Sequence, residues 1–319
     1  MVYRSRMQLN IFCIALFLSA CSNEYAEAED FSVHAHRDKG EIATYAYIVE
    51  TSQHSVLVDA GFSAAAGEEI KTILDEIGKP VAAVLLTHAH PGHYGGITAA
   101  VGTNVPVIAD VGVARQFSEY DEKFQKLTGG GLPENRRGPD TIYGHGQSLR
   151  IDSVDFTLNA MGPGEAEVDT WWSVSQDDKK AVFAGGLIAY EIHPILTGHS
   201  GSWINSLKIM REEIAPLTPI YPGYNPRAEN IAQVAGHHEL IEWQIEYLNN
   251  YRSVVADVAE GRVQLSDAEL TSITNKMNDL YPDNRALIFI QLGAETVAAE
   301  LALQAALDRT DLRFQELFK

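Results

Sequence analysis

Apolar and polar positions fall into two textures along the chain, and the change comes near Pro226. Before it, short β-rich runs alternate with helical patterns. Tyr45–Glu50 and Ser55–Asp59 predict two strands, with Thr51-Ser52-Gln53-His54 as the hairpin loop between them. Ser63 is placed to cap a helix whose Ile70, Ile73, Leu74 and Ile77 share one face, and Gly78 with Pro80 ends it. Val81–Leu86 then runs without a polar residue, as a strand buried on both faces does. Further strands are predicted at Val105–Ile108, Ser148–Ile151, Val154–Asn159, Trp171–Ser175 and Ala181–Phe183. Core packing is the expected role of Trp171 and Trp172. Strand–helix–strand order of this kind builds an α/β layered sheet. The Gly- and Pro-rich stretch Gly129–Pro139 reads as a mobile loop near a rim.

Beyond Pro226 the pattern is helical. Ile241, Ile245, Leu248, Val255 and Val258 recur at helical spacing, and Gly261 ends that element. Ser266-Asp267-Ala268-Glu269 is a capping box for a helix with Leu270, Ile273, Met277 and Leu280 inward, stopped by Tyr281-Pro282. Leu287–Leu307 predicts one or two further helices, with Gly293 as a break.

The first twenty residues differ from both textures. Arg4 and Arg6 precede an apolar run, Ile11–Leu18, too short to span a bilayer, which needs about 20 residues. A charged start, a short apolar run and small residues read as a secretory signal. Leu18-Ser19-Ala20-Cys21 resembles the lipobox of bacterial lipoproteins, which implies cleavage before Cys21 and lipidation of Cys21. Ser22 follows, where aspartate would signal inner-membrane retention, so the resemblance implies an outer-membrane anchor facing the periplasm or cell surface. The alternative is an ordinary cleavable signal with an incidental cysteine. The expected organisation is therefore a signal over 1–20, a polar tether over 21–39, a sheet domain over 40–225 and a helical extension over 226–319.

Composition narrows the chemistry. The 319 residues carry 43 acidic and 24 basic side chains, for a net charge of −19 that deepens to −21 once Arg4 and Arg6 leave with the signal. Nucleic-acid binding, which needs basic surface to displace counterions, is excluded as a general activity. Two cysteines cannot build a disulfide scaffold or a four-thiolate zinc site. With Cys13 removed and Cys21 lipidated, a metal here would be held by imidazole and carboxylate.

Such groups concentrate directly after the buried strand. Thr87-His88-Ala89-His90-Pro91-Gly92-His93 places three of the eleven histidines within six residues. Loops at strand ends are where α/β folds keep their sites, and neutral imidazole is a common zinc ligand. The plainer alternative is a cluster of separately satisfied histidines. There is no Gly-rich phosphate loop, no dinucleotide fingerprint and no Ser or Cys nucleophile motif.

The run resembles the metallo-β-lactamase superfamily, whose signature is His-x-His-x-Asp-His after a hydrophobic strand. Leu57–Gly61 is similar to that family's early strand and Asp-x-Gly turn. Gly162-Pro163-Gly164 with Asp169-Thr170 is similar to its second motif, Phe183-Ala184-Gly185 to its third and Tyr221-Pro222-Gly223 to its fourth. The resemblance implies an αββα sandwich of two mixed β-sheets with metal at one edge, here followed by the C-terminal helical extension.

It also exposes departures. His88 and His90 stand at two ligand positions of the family's first metal, but Glu165 replaces the third histidine. Gly92 and Gly186 replace the two carboxylates of the second metal site, Tyr224 replaces its last histidine, and His93 remains. The implication is one metal ion, not two: zinc, or iron or manganese, held by His88, His90 and Glu165, with His93 at the retained second-site position. His93 is then expected to orient or deprotonate water, and Tyr224 to donate to an oxyanion. The competing reading of Glu165 is a solvated loop acid beside Glu167. His193 and His199 are expected to be loop histidines bonded to backbone, His237 and His238 to be solvated, and His34, His36, His54 and His145 have no nameable partner. Two functions follow. One is a metallo-hydrolase acting on a small ester, thioester, lactone or amide; the other is a catalytically degenerate relative that binds a small molecule or partner without turnover.

Overall fold

A computed structural model of the chain describes residues 31–317, apart from residues 128, 130 and 229. One sheet carries β1 (Ser32–Arg37), β2 (Tyr45–Glu50), β3 (Ser55–Val58), β4 (Val81–Leu85), β5 (Val107–Asp110) and β6 (Thr141–Tyr143), side by side in chain order. Its first three strands are antiparallel and the rest parallel. The second sheet carries β7 (Ser148–Ile151), β8 (Val154–Gly162), β9 (Asp169–Gln176), β10 (Lys179–Ala189) and β11 (Ile220–Tyr224), with β11 next to β10 and β7 at the far edge. Only the β10–β11 pair is parallel, so both sheets are mixed.

Alternation along the strands sets the layers. On β2, Tyr45, Tyr47 and Val49 enter the core between the sheets, while Ala46 and Ile48 face the outer helices. Those helices are α1 (Ala64–Ile77), α3 (Ile97–Val101) and α4 (Val111–Leu127), with the short α2 (Pro91–Tyr94) following β4 in the chain. Trp171 and Trp172 show the same rule on β9. Trp172 packs between the sheets and Trp171 packs under the second helical layer, both fully buried. That layer is α5 (Ser200–Glu213), α7 (His238–Ala259), α8 (Asp267–Leu280) and α9 (Ile288–Leu317); α6 (Ile231–Val234) is a short connector beside β1. The architecture is the expected αββα sandwich with C-terminal helices, and these helices form one of its outer layers.

The predicted caps appear as built. The Ser63 side chain accepts from Ala66 N–H, Gly78 closes α1 in the left-handed region, and Ser266 and Glu269 form a reciprocal capping box.

Several elements differ from the sequence reading. Residues 32–37, placed in the tether, form the edge strand β1 in register with β2. A segment reading Ser-Val-His-Ala-His-Arg looks polar because an edge strand buries only one side. Helices α4 and α5 begin within loop-like sequence and were not expected. Leu280, the last residue of α8, is half exposed rather than inward. Gly293 does not break α9. It lies against Leu196, where a Cβ would approach to 2.8 Å, so close packing accounts for it. The Gly129–Pro139 loop is irregular but pinned, since Arg136 donates to both carboxylate oxygens of Asp121 on α4 at 2.6 Å. The signal, Cys21 and residues 21–30 of the tether lie outside the described residues.

Candidate metal centre

Strand β4 delivers Thr87 and His88 into the interior, and α2 follows at once with His93, so two of the three clustered histidines are fully buried. His90, the residue before α2, is slightly exposed. Glu165, after β8, is buried to 3% exposure and Asp169, at the start of β9, to 0%. The reading of Glu165 as a solvated acid is therefore overturned.

The hydrogen bonds fix which nitrogen of His88 is available. Asp59 accepts from Thr87 N–H at 2.9 Å and from Thr87 Oγ1–H at 2.8 Å. With its only proton committed to Asp59, the Thr87 hydroxyl oxygen accepts from His88 Nδ1–H at 3.1 Å. Nε2 of His88 then carries a bare lone pair, buried, with no hydrogen-bond partner. Burial, helped by the neighbouring His93, pushes the His88 pKa down to about 3, so the ring is neutral.

That lone pair faces Glu165. Oε2 of Glu165 is 3.5 Å from His88 Nε2 and 3.5 Å from His90 Nδ1. Ligand atoms on a tetrahedral zinc sit about 3.3 Å apart, given bonds of about 2.0–2.1 Å. Ligand atoms of His88, His93 and Glu165 also lie within 4.8 Å of one another. The orphaned Nε2 and the mix of imidazole and carboxylate donors fit a single metal ion, and this set of side chains can hold one. Nδ1–H of His93 donates to Asp59 Oδ2 at 2.7 Å, and its Nε2 lies 3.1 Å from Tyr224 Oη. Tyr224 also donates to Glu165 Oε2 at 2.8 Å. Asp59, Thr87, His93, Tyr224 and Glu165 thus form one chain of buried polar groups.

The two carboxylates differ sharply. Burial disfavours the charge of Glu165, but the neighbouring imidazoles of His88 and His90 outweigh it and hold the carboxyl well below its usual range. Burial and the adjacent Glu165 charge push Asp169 up to about 8. Its Oδ2 accepts from Ala166 N–H at 2.7 Å, while Oδ1 has no partner and lies 3.7 Å from His88 Nδ1. At His90 burial lowers the pKa, but Glu165 and Asp169 together outweigh it, so this imidazole is shifted upward.

Beside these groups opens a cavity of about 730 Å³, with His90, Gly92, Glu165 and Tyr224 on its lining. Its size is that of a small-molecule site.

Residues 40–222 match the family model described as the metallo-beta-lactamase superfamily. The chain belongs to the metallo-β-lactamase superfamily. Among solved structures it is similar to a beta-lactamase domain protein from Burkholderia ambifaria. That likeness has 17% identity, covers 89% of this chain and 92% of that one, and has a TM-score of 0.61. A metallo-beta-lactamase from Pontibacter korlensis is similar at 18% identity over 70% of this chain and 96% of that one, TM-score 0.54. At such identities the likeness is one of fold. No curated protein matches in sequence.

The two glycines that the sequence reading set against ligand positions, Gly92 and Gly186, have physical explanations. A Cβ on Gly186 would lie 2.7 Å from Glu165 Oε2, 2.8 Å from Asp169 Oδ1 and 2.9 Å from His88 Cε1. A Cβ on Gly92 would meet the Thr44 methyl at 2.7 Å. Other side chains already occupy the space at both positions, and the Tyr224 hydroxyl lies between His93 and Glu165.

The structure adds three residues to those nominated from sequence. Asp59 and Asp169 were visible only as motif markers, and Thr87 not at all; a carboxylate in a strand-end turn was the available signal. The remaining histidines also find places. His193 bonds by its ring to Tyr247 Oη at 2.8 Å, not to backbone. His199 is the cap residue of α5, and His238 contacts Ile214 O at 2.8 Å, whereas His237 is exposed. His34, His36 and His54 pair with Glu50, Glu69 and Asp152, and His145 accepts from Ala160 N–H.

Proposed function

We propose that the protein is a mononuclear metal-dependent hydrolase, with zinc as the ion, acting on a small ester, thioester, lactone or amide. One observation carries the reading: a neutral, buried imidazole, His88, whose Nε2 is fixed as an unpaired lone pair facing Glu165 beside a ligand-sized cavity. His88 and Glu165 hold the ion, with His90 completing its donors and His93 beside them. When bound, the ion supplies Lewis-acid activation of water and polarisation of a substrate carbonyl.

The chain's own groups do the rest. Asp59, by accepting Nδ1–H of His93, leaves Nε2 as the basic atom that takes up a proton. Tyr224 Oη, in contact with that Nε2 and lining the cavity, donates to negative charge that develops on substrate. Burial raises the Tyr224 pKa well above its ordinary value, so the hydroxyl keeps its proton across the physiological range. We further propose that Cys21 carries a lipid and tethers the domain to the outer membrane; loss of labelled-palmitate incorporation in Cys21→Ser tests this.

A degenerate protein that binds without turnover is the second reading, favoured by Gly92, Gly186 and Tyr224 at positions of second-metal ligands. Metal analysis of purified wild-type and His88→Ala protein, together with ester hydrolysis, separates the two. Stoichiometric zinc that disappears with His88, accompanied by zinc-dependent turnover, is the expected result. A stably folded wild type that binds neither zinc, iron nor manganese refutes the hydrolase.

A further inference from the structure

The cavity beside the metal ligands has a second wall that the proposed chemistry does not use. Ile192, Pro194 and Ile195, from the segment after β10, meet Phe289 and Leu292 of α9 there, and the polar group on this wall is His193. Leu292 is 61% exposed, a large apolar side chain left at an opening rather than covered. The charges on the lining, besides Glu165, are Asp38, Glu41 and Glu69 against Lys39, and Lys39 is already paired with Glu69. In the metal-free protein an anion entering here meets an acidic rim, and the described residues of the lining offer no unpaired lysine or arginine to receive it.

His193 is fully buried, and its Nε2 has no hydrogen-bond partner. Its Nδ1 lies 2.8 Å from the hydroxyl of Tyr247, which is stacked among Trp243, Tyr251 and Tyr281. Burial lowers the His193 pKa to about 4, so the ring is neutral. In the tautomer proposed here the Tyr247 phenol donates to Nδ1, which leaves Nε2–H buried and unpaired in a residue of the cavity lining. A buried unpaired donor is costly, which makes it a strong point of selection for a ligand that supplies an acceptor.

We infer that the cavity takes a neutral carboxylic ester or amide bearing an apolar chain of several carbons, with the chain along Ile195, Phe289 and Leu292 and a polar atom received by His193. The inference specifies the substrate class of the hydrolase proposed above and rests on that reading for turnover, but not for binding. His193 is accordingly a specificity residue.

The test is a ligand-detected NMR titration of purified protein, zinc-loaded and metal-free, with butanamide, octanamide and octanoate. Octanamide is expected to bind more tightly than butanamide, by up to about fourfold per added methylene, and more tightly than octanoate. His193→Phe should weaken octanamide about fivefold while His193→Gln, which keeps a donor, restores most of it. Leu292→Glu, at an exposed position where folding is not at stake, should weaken it at least threefold. Equal affinities for butanamide and octanamide, or octanoate binding the metal-free protein as well as octanamide does, overturn the inference. So does octanamide affinity unchanged in both His193→Phe and Leu292→Glu. If octanamide binds as expected but p-nitrophenyl octanoate is not hydrolysed with any metal, the inference stands and the hydrolase reading falls. Zinc-dependent hydrolysis that favours the acetate ester over the octanoate leaves the hydrolase standing and overturns the inference.

Discussion

Adding a single methyl group at Gly186 tests the centre more sharply than removing a ligand. The backbone there lies outside the left-handed region, so alanine costs nothing in conformation and the effect is steric. The new Cβ would sit 2.7, 2.8 and 2.9 Å from Glu165 Oε2, Asp169 Oδ1 and His88 Cε1, all closer than real contacts allow. None of the three can retreat freely. Tyr224 holds Glu165 at 2.8 Å, Ala166 N–H holds Asp169 at 2.7 Å, and Thr87 holds His88 at 3.1 Å. Overpacking a rigid site costs about 1–3 kcal/mol, and three simultaneous contacts place Gly186→Ala at the upper end, about 2–3 kcal/mol. Urea unfolding followed by tryptophan fluorescence reads this directly, because Trp171 and Trp172 are buried next to the site's strands. Zinc affinity should fall together with stability, since the clash moves the atoms that face the ion. In a Glu165→Ala background the shortest contact disappears, so the cost of Gly186→Ala should shrink by at least about 0.5 kcal/mol. A Gly186→Ala protein with wild-type unfolding midpoint and wild-type zinc affinity would refute the account of how this site is packed.

Three further outcomes are expected. Tyr224→Phe strips Glu165 and His93 of a shared partner, so stability should drop by about 1–3 kcal/mol and ester turnover by about 100-fold at unchanged zinc content; unchanged kcat would remove Tyr224 from the chemistry. Asp59→Asn frees the Thr87 hydroxyl and with it the His88 tautomer, so zinc affinity, measured against a chromophoric chelator, should fall about 10- to 100-fold. In metal-free protein Asp169, pushed up to about 8, keeps its proton between roughly pH 4 and 8 where the unfolded chain has lost it. Unfolding then releases a proton, stability falls as pH rises through that window, and Asp169→Asn should flatten the urea midpoint between pH 5 and 8.

What could be read from sequence was whatever local chemistry determines. Ser63 and Gly78 marked the ends of α1, and Ser266 with Glu269 opened α8, because a cap is a contact between near neighbours. The unbroken apolar run of Val81–Leu86 revealed a central strand, and the histidines after it revealed the site. Long-range contacts were hidden. Asp59 receives His93 from 34 residues away, and nothing in Asp59-Ala60-Gly61 announces a role beyond a turn. Gly186 looked like a missing ligand, and only the folded arrangement shows Glu165 and Asp169 in the space a side chain would need. His193 read as a loop residue because its partner, Tyr247, comes from a helix 54 positions later. Strand β1 was missed for a different reason: one buried side and two histidines leave too little alternation to register.

Trp171 and Trp172 lie back to back on β9, one in each core, so a single pair of neighbours joins the inter-sheet interior to the helical layer behind it. The side chains that could hold a metal all belong to the sheets and their loops, while Phe289, Leu292 and the Tyr247 bonded to His193 come from the trailing helices. On the reading proposed above, metal capture and ligand choice are carried by separate stretches of one polypeptide. Changes in α7 and α9 can retune what is admitted while the reactive groups stay in place, and a truncation at residue 225 would leave Trp171 uncovered and the cavity without its far wall.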